Sequence, residues 1–258
     1  MSPEAKEPIV KVRNVTKSFG VVMAVKNVTF DLSKGEILGI IGPNGSGKTT
    51  LINCITGFLK PEKGKIFFDG KEITGMPPHR IADMGIGRTF QIMRPYYNLP
   101  AYKNLIVPLS SPRAKRFAGG GKLGERDTVA IDILEDVGFE RDAYVPYKLA
   151  GALPLGYLKR LELGRCIAMR SDVIICDEVM SGLSSAEIAS LVPLIVKLNM
   201  TGNTFVMIEH RLRELFKLAN TVIVLNFGEK IFEGKPEAAL EDNGVKEAYF
   251  GKGREVRL

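Results

Sequence analysis

The sequence predicts an α/β protein built around a largely parallel β-sheet, and three observations predict it. Residues 36–41 form an unbroken apolar run that enters a glycine-rich loop and then a helical segment. A second apolar run, starting at Val173, ends in two adjacent acids, Asp177 and Glu178. From there strand-like and helix-like segments alternate as far as residue 225, the pattern of a parallel sheet covered by helices.

The segments follow in order. Residues 9–30 alternate apolar and polar side chains and read as short strands joined by the turn Ser18-Phe19-Gly20. Residues 36–41 are a strand, and residues 48–56 a helix stopped by Gly57 and, shortly after, Pro61. Residues 66–73 fold as a hairpin about the Asp69-Gly70 turn. Residues 113–124, with three consecutive glycines and several bases, read as an exposed flexible loop. Helical spacing marks residues 127–137 and 157–169. Then come a strand at 172–177, a helix at 185–199, a strand at 204–209, a helix at 212–220 and a strand at 221–225. The tail, residues 236–251, reads as helical and ends in loosely ordered basic residues. No repeat of twenty to fifty residues is visible, so the chain is one unit and not a tandem pair.

Composition narrows the function. The 258 residues are enough for one large domain carrying an inserted subdomain. No run of eighteen apolar residues occurs, and residues 1–8 lack the apolar stretch of a signal peptide, so a cytoplasmic location is expected. Three cysteines, Cys54, Cys166 and Cys176, are widely spaced in apolar segments and read as buried, reduced thiols. The net charge of +7 comes from 36 Lys and Arg against 29 Asp and Glu, scattered along the chain apart from small groups such as Arg113-Ala114-Lys115-Arg116. Scattered charge reads as solvated surface, not a nucleic-acid footprint.

The chemistry starts at Gly42-Pro43-Asn44-Gly45-Ser46-Gly47-Lys48-Thr49, a glycine, four residues, then Gly-Lys-Thr between a strand and a helix. Glycines let the backbone curl so that successive N–H groups point at phosphate oxygens, and the helix N-terminus adds positive potential. In this spacing Lys48 reaches the β- and γ-phosphates of a nucleotide, and the Thr49 hydroxyl ligands Mg2+. Asn44, Gly45, Ser46, Gly47 and Thr50 complete the set of loop residues against the nucleotide. Downstream, Asp177 at a strand end is placed to hold Mg2+ through water, and Glu178 to polarise an attacking water as general base.

With these motifs the chain resembles the ATP-binding subunits of ABC transporters. The resemblance implies a P-loop NTPase (RecA-like) core with an N-terminal antiparallel β subdomain and an inserted α-helical subdomain. It implies a single cassette over residues 1–258, with the core at 9–91 and 170–235, the helical subdomain at 92–169 and a short C-terminal segment at 236–258. Gln91, in Arg88-Thr89-Phe90-Gln91, sits where the family places a glutamine that touches the Mg2+ and water site. His210, after a strand in Ile208-Glu209-His210, matches the family's γ-phosphate histidine. Phe19 matches its adenine-stacking aromatic, and Val25 is carried over with it as a nucleotide contact. His79 matches nothing and is expected on the surface.

Within the family the chain is most similar to subunits for uptake of branched-chain amino acids and related small polar solutes. The residues carrying this are those at 52–58, those at 85–91 and the tail Val245-Lys246-Glu247-Ala248-Tyr249-Phe250-Gly251. The implied partners are transmembrane permease subunits and a second ATP-binding subunit with ATP sandwiched between the two. A periplasmic or extracellular solute-binding protein acts indirectly, and no nucleic acid is implied. The implied location is peripheral, on the inner face of the cell membrane. The permease would dock near residues 91–98, where Pro95-Tyr96-Tyr97 forms an aromatic patch.

The chain departs from the family pattern at the signature segment, normally Leu-Ser-Gly-Gly-Gln and here Leu153-Pro154-Leu155-Gly156-Tyr157. Pro154 offers neither hydroxyl nor N–H, which leaves the Gly156 amide and the start of a helix near Tyr157 to meet the partner's γ-phosphate. Val179 follows the two acids where many relatives have proline, and Ser184 replaces an acid that links the paired subunits. The alternative is a soluble ABC ATPase acting on nucleic acid or ribosomes. It would carry a coiled-coil arm or a second phosphate loop, and this sequence has neither. A small-molecule kinase would have no use for Gln91, the signature segment and His210 in this order.

Overall fold

A computed structural model describes residues 7–90, 93–117 and 123–250. Gln91, the glycines at 119–121 and the basic tail from residue 251 lie outside the described residues. In chain order the strands and helices are β1 (Pro8–Phe19), β2 (Val22–Ser33), β3 (Ile37–Ile41), α1 (Lys48–Ile55), β4 (Lys63–Phe68), β5 (Lys71–Glu72), α2 (Pro78–Met84) and β6 (Ile86–Arg88). Next come α3 (Ile106–Leu109), α4 (Pro112–Phe117), α5 (Leu123–Asp136), α6 (Leu155–Ala168), β7 (Val173–Asp177) and α7 (Ser185–Met200). The chain ends through β8 (Thr204–Ile208), α8 (Leu212–Leu218), β9 (Thr221–Asn226), β10 (Glu229–Gly234), α9 (Pro236–Glu241) and α10 (Asn243–Phe250). Two compact units result, Met1–Ile81 with Thr204–Leu258, and Ala82–Asn203.

The first unit holds an antiparallel sheet in the order β2-β1-β4-β5. Its first two strands are longer than the alternation predicts, because bulges let the pairing continue through irregular residues. Asn14 and Asn27 take the left-handed conformation there, and Thr29 and Thr16 hydroxyls accept from their amides. Asp69 and Gly70, both at positive φ, turn β4 into β5 as the Asp-Gly pair predicts. In the same unit β3 runs parallel between β8 and β9, with Ile40 opposite Ile208 on one side and Ile223 on the other. Every residue of β3 and β8 is buried, which is why both read as continuous apolar runs. β10, not foreseen from the sequence, returns antiparallel on β9 after the turn at Phe227-Gly228.

In the second unit β6 and β7 pair in parallel, Ile86 with Val173 through Arg88 with Ile175. The segment expected as an exposed loop from residue 113 instead begins as α4, a correction with a clear cause. Arg113 is buried, and its guanidinium donates to the carbonyls of Arg170 and Met84 and to Asp172 Oδ2, each at 2.6 Å. Those three acceptors satisfy an otherwise costly buried cation. The helix expected near Tyr157 starts two residues earlier, with Pro154 at its N-cap. Proline is tolerated there because the first helical N–H groups have no partner within the helix. All three cysteines are free and buried, and His79 is exposed. Among the described residues no helix is long and apolar enough to cross a membrane.

Candidate functional site

The predicted phosphate loop forms in the first unit as a tight backbone cradle. Gly42 and Gly47 have φ of 148° and 103°, and a Cβ on either would come within 2.1 Å of a carbonyl oxygen, that of Leu225 or of Ala24. Only glycine fits both the dihedrals and the space. Ser46 N–H donates to Pro43 O at 3.2 Å, and Gly228 N–H to Ser46 O at 3.1 Å, which ties the loop to the β9–β10 turn. Lys26 N–H in turn donates to Gly228 O at 2.8 Å, so β2 is part of the same frame.

Lys48 opens α1 and is buried, its ammonium donating to Gly42 O at 2.7 Å and Pro43 O at 2.9 Å. The loop's own carbonyls thus hold the cation. Asn44, Gly45 and Thr49 are exposed, Thr50 is half-buried, and Ser46 is buried. A cavity of about 610 Å³ adjoins the loop, lined by Asn44, Gly45 and Ser46 with Phe227 and, from α10, Glu247. Phe19 is exposed at the end of β1, with the Lys17 ammonium 5.5 Å from its ring centre. A flat, exposed aromatic of this kind can stack on a base. Val25 is fully buried and its side chain serves the core; its strand reaches the loop through the backbone of Ala24. His210 follows β8 and is exposed, next to the buried Glu209.

The second unit carries the acids. Asp177 ends β7 with its side chain buried, and Glu178 takes a left-handed φ of 53° immediately after. A left-handed non-glycine costs on the order of 1 kcal/mol and persists where neighbours hold it. Here the holder is Lys159 of α6, a buried lysine that donates to Glu178 O at 3.0 Å. Asp177 Oδ2 accepts from Arg88 Nη2 at 2.7 Å, and Asp177 N–H donates to the Thr89 hydroxyl at 3.4 Å. Neither Arg88 nor Lys159 stood out in the sequence, because an isolated base carries no spacing signal. The two acids at an apolar strand end were visible, and their cationic partners were not.

The signature segment opens α6. Gly156 lies in the first turn of α6, close to the carboxylate of Glu187 in the same chain. A Cβ at Gly156 would meet Glu187 Oε1 at 2.7 Å. Glu187 and Ser184 form a reciprocal cap on α7, in which Ser184 N–H donates to Glu187 Oε2 at 2.8 Å and Glu187 N–H to Ser184 Oγ at 3.3 Å. Hydrogen bonds from the Ser184 N–H and hydroxyl hold the Glu187 carboxyl below the usual range. Pro95 is buried, while Tyr96 and Tyr97 are exposed.

The family model described as "ABC transporter" matches residues 25–181. The high-affinity branched-chain amino acid transport ATP-binding protein BraF of Pseudomonas aeruginosa is 35% identical over 254 residues, 95% of this chain and 98% of its own length. The probable branched-chain amino acid transport ATP-binding protein LivG of Archaeoglobus fulgidus is 34% identical over 245 residues, 94% of this chain and 95% of its own. Among solved structures, a nucleotide-free ATP-binding cassette from an ABC transporter superposes with a TM-score of 0.84 at 32% identity, over 95% of this chain and all of that one. An ATP-binding cassette of an ABC transporter in its ADP conformation gives 0.83 at 33%, over 96% and 100%.

Proposed function

This chain belongs to the ATP-binding cassette family of ABC transporter ATPases, and from that premise we propose that it powers uptake of branched-chain amino acids or a similar small polar solute. The observation that carries the reading is the Gly42–Thr49 cradle, a phosphate loop with two glycines that no other residue could replace. Relatives named for branched-chain amino acid transport match nearly the whole chain, and they support this choice of solute.

In the proposed mechanism Phe19 stacks on adenine and the amides of residues 44–50 receive the phosphates. Lys48 turns its ammonium from the Gly42 and Pro43 carbonyls to the β- and γ-phosphates. An anionic oxygen outcompetes a neutral carbonyl for a charged donor. Glu178 takes the proton of the attacking water, with Gln91 and His210 at the water and γ-phosphate. The functional division proposed takes residues 9–91 and 170–235 as core, 92–169 as helical subdomain and 236–258 as tail.

Mg2+ suits the donors available. Asp177 is a buried carboxylate that already has a cation against it, and Thr49 is an exposed hydroxyl at the first turn of α1. Hard oxygen donors of this kind, together with phosphates and water, are what Mg2+ takes. When bound, the ion would neutralise charge developing on the phosphates. The partners proposed are permease subunits, a second ATP-binding subunit and, indirectly, a solute-binding protein. The site of action is the inner face of the cell membrane. Exposed Tyr96 and Tyr97 are the proposed permease contact.

Affinity purification from solubilised membranes tests the reading. Recovery of a permease, and ATPase activity that rises with an amino acid and its binding protein in proteoliposomes, is the expected result. Recovery with ribosomes or DNA, and no membrane protein, would sink it.

A further inference from the structure

The ion pair between Arg88 and Asp177 is the feature that this function leaves unexplained. Arg88 ends β6 and Asp177 ends β7, adjacent parallel strands whose register sets Arg88 opposite Ile175. The guanidinium reaches past that position to bring Nη2 within 2.7 Å of Asp177 Oδ2. Both side chains are almost out of water, at 8% and 7% exposure. Thr89 locks the same corner, its N–H donating to Ile175 O at 2.9 Å while its hydroxyl accepts from Asp177 N–H. On its other side the guanidinium lies 5.3 Å from the ring centre of Phe90.

A carboxylate this buried is costly without a counter-charge, and arginine keeps its charge at any pH the protein meets. The acid read as the Mg2+-side carboxylate is therefore already neutralised by the protein's own cation. A metal arriving at Asp177 meets a guanidinium on the same group. Two cations sharing one carboxylate repel each other, most strongly where water is scarce.

We propose that Arg88 is a positioning residue for the metal site: it is the resident counter-ion of Asp177, holding the carboxylate in place and competing with Mg2+ for it. This rests on the reading of Asp177 as the Mg2+-side acid. The pair therefore lowers the site's Mg2+ affinity while stabilising the protein when no metal is bound.

The experiment is a Mg2+ titration of ADP binding, followed by calorimetry, in Arg88→Met, Arg88→Gln and Arg88→Lys. Met keeps the length and removes the charge. Gln keeps a hydrogen-bond donor for Asp177, so it serves where Met does not fold. Both neutral variants should reach half-saturation at about three- to tenfold lower Mg2+ than the unaltered protein. Their Tm in EDTA should fall, and Mg2+ with ADP should raise it by more than in the unaltered protein. Arg88→Lys, with a cation restored, should return the Mg2+ dependence toward the original. An unchanged or weaker Mg2+ dependence in the neutral variants would overturn the proposal. Asp177→Asn separates the two ideas: if it leaves the Mg2+ dependence as it was, the reading of Asp177 fails before that of Arg88.

Discussion

Lys48 and Gly42 hold each other across the phosphate loop, the lysine ammonium donating to the glycine carbonyl at 2.7 Å from six residues further along the chain. The lysine is kept buried and oriented by carbonyls of its own loop. Replacing it removes both the charge meant for the phosphates and a tie that shapes the loop. Lys48→Ala should weaken ATP binding by about one to two orders of magnitude, the value of one or two charged hydrogen bonds. Titration calorimetry with ATP checks this, and normal affinity would contradict the phosphate-loop role.

Glu178 stands at a strained residue held by Lys159 through its backbone, so its side chain can change without loss of that hold. Glu178→Gln should leave ATP affinity near its original value. Turnover should fall by about two to four orders of magnitude, the usual contribution of a positioned base. An ATP-bound pair should live longer on size exclusion. Unchanged phosphate release would remove Glu178 as the base.

Glu187→Ala takes away one half of the cap on α7. Tm should fall by a few degrees. The pH dependence follows from the carboxyl being held below the usual range in the folded protein. The stabilisation is present above the ordinary carboxylate pKa and is lost as pH falls through the lowered one. Acid titrations of the two proteins should therefore differ near neutrality and converge at low pH; a constant gap would refute this account.

Burial pushes the thiols of Cys54 and Cys166 up to about 11 and about 12, and the phenol of Tyr249 up to about 12. Thiolate, not thiol, is the reactive form, so a disulfide reagent at neutral pH should modify neither cysteine until the protein unfolds. All three groups stay neutral in the folded chain where the unfolded chain ionises. Their stabilisation is complete below about pH 9 and is lost as pH rises toward 12. Alkaline denaturation followed by circular dichroism should show stability declining over that window. Fast labelling of the native protein at neutral pH would contradict the burial of these sites.

Much of this was legible in the residue order, for local reasons. Glycines at 42 and 47 announce dihedrals that other residues avoid, and β3, β7 and β8 are largely apolar because every position in them is buried. The turn at Asp69-Gly70 and the acids at 177 and 178 are equally local signals. Position in the chain was enough to propose what each does.

Long-range pairing was decided only by the tertiary structure. Arg88 and Asp177 are 89 residues apart, and nothing in either neighbourhood says that strand register will bring them within 2.7 Å. Arg113 read as a solvated base and became a buried clasp, because three acceptors from separate segments converge on it. Gly156 sits so close to Glu187, 31 residues further along, that a Cβ there would meet Glu187 Oε1 at 2.7 Å. A charge finds its partner through space, and the sequence records only its distance along the chain. The phosphate loop could thus be read from eight consecutive residues, whereas the counter-ion beside Asp177 had to be seen folded.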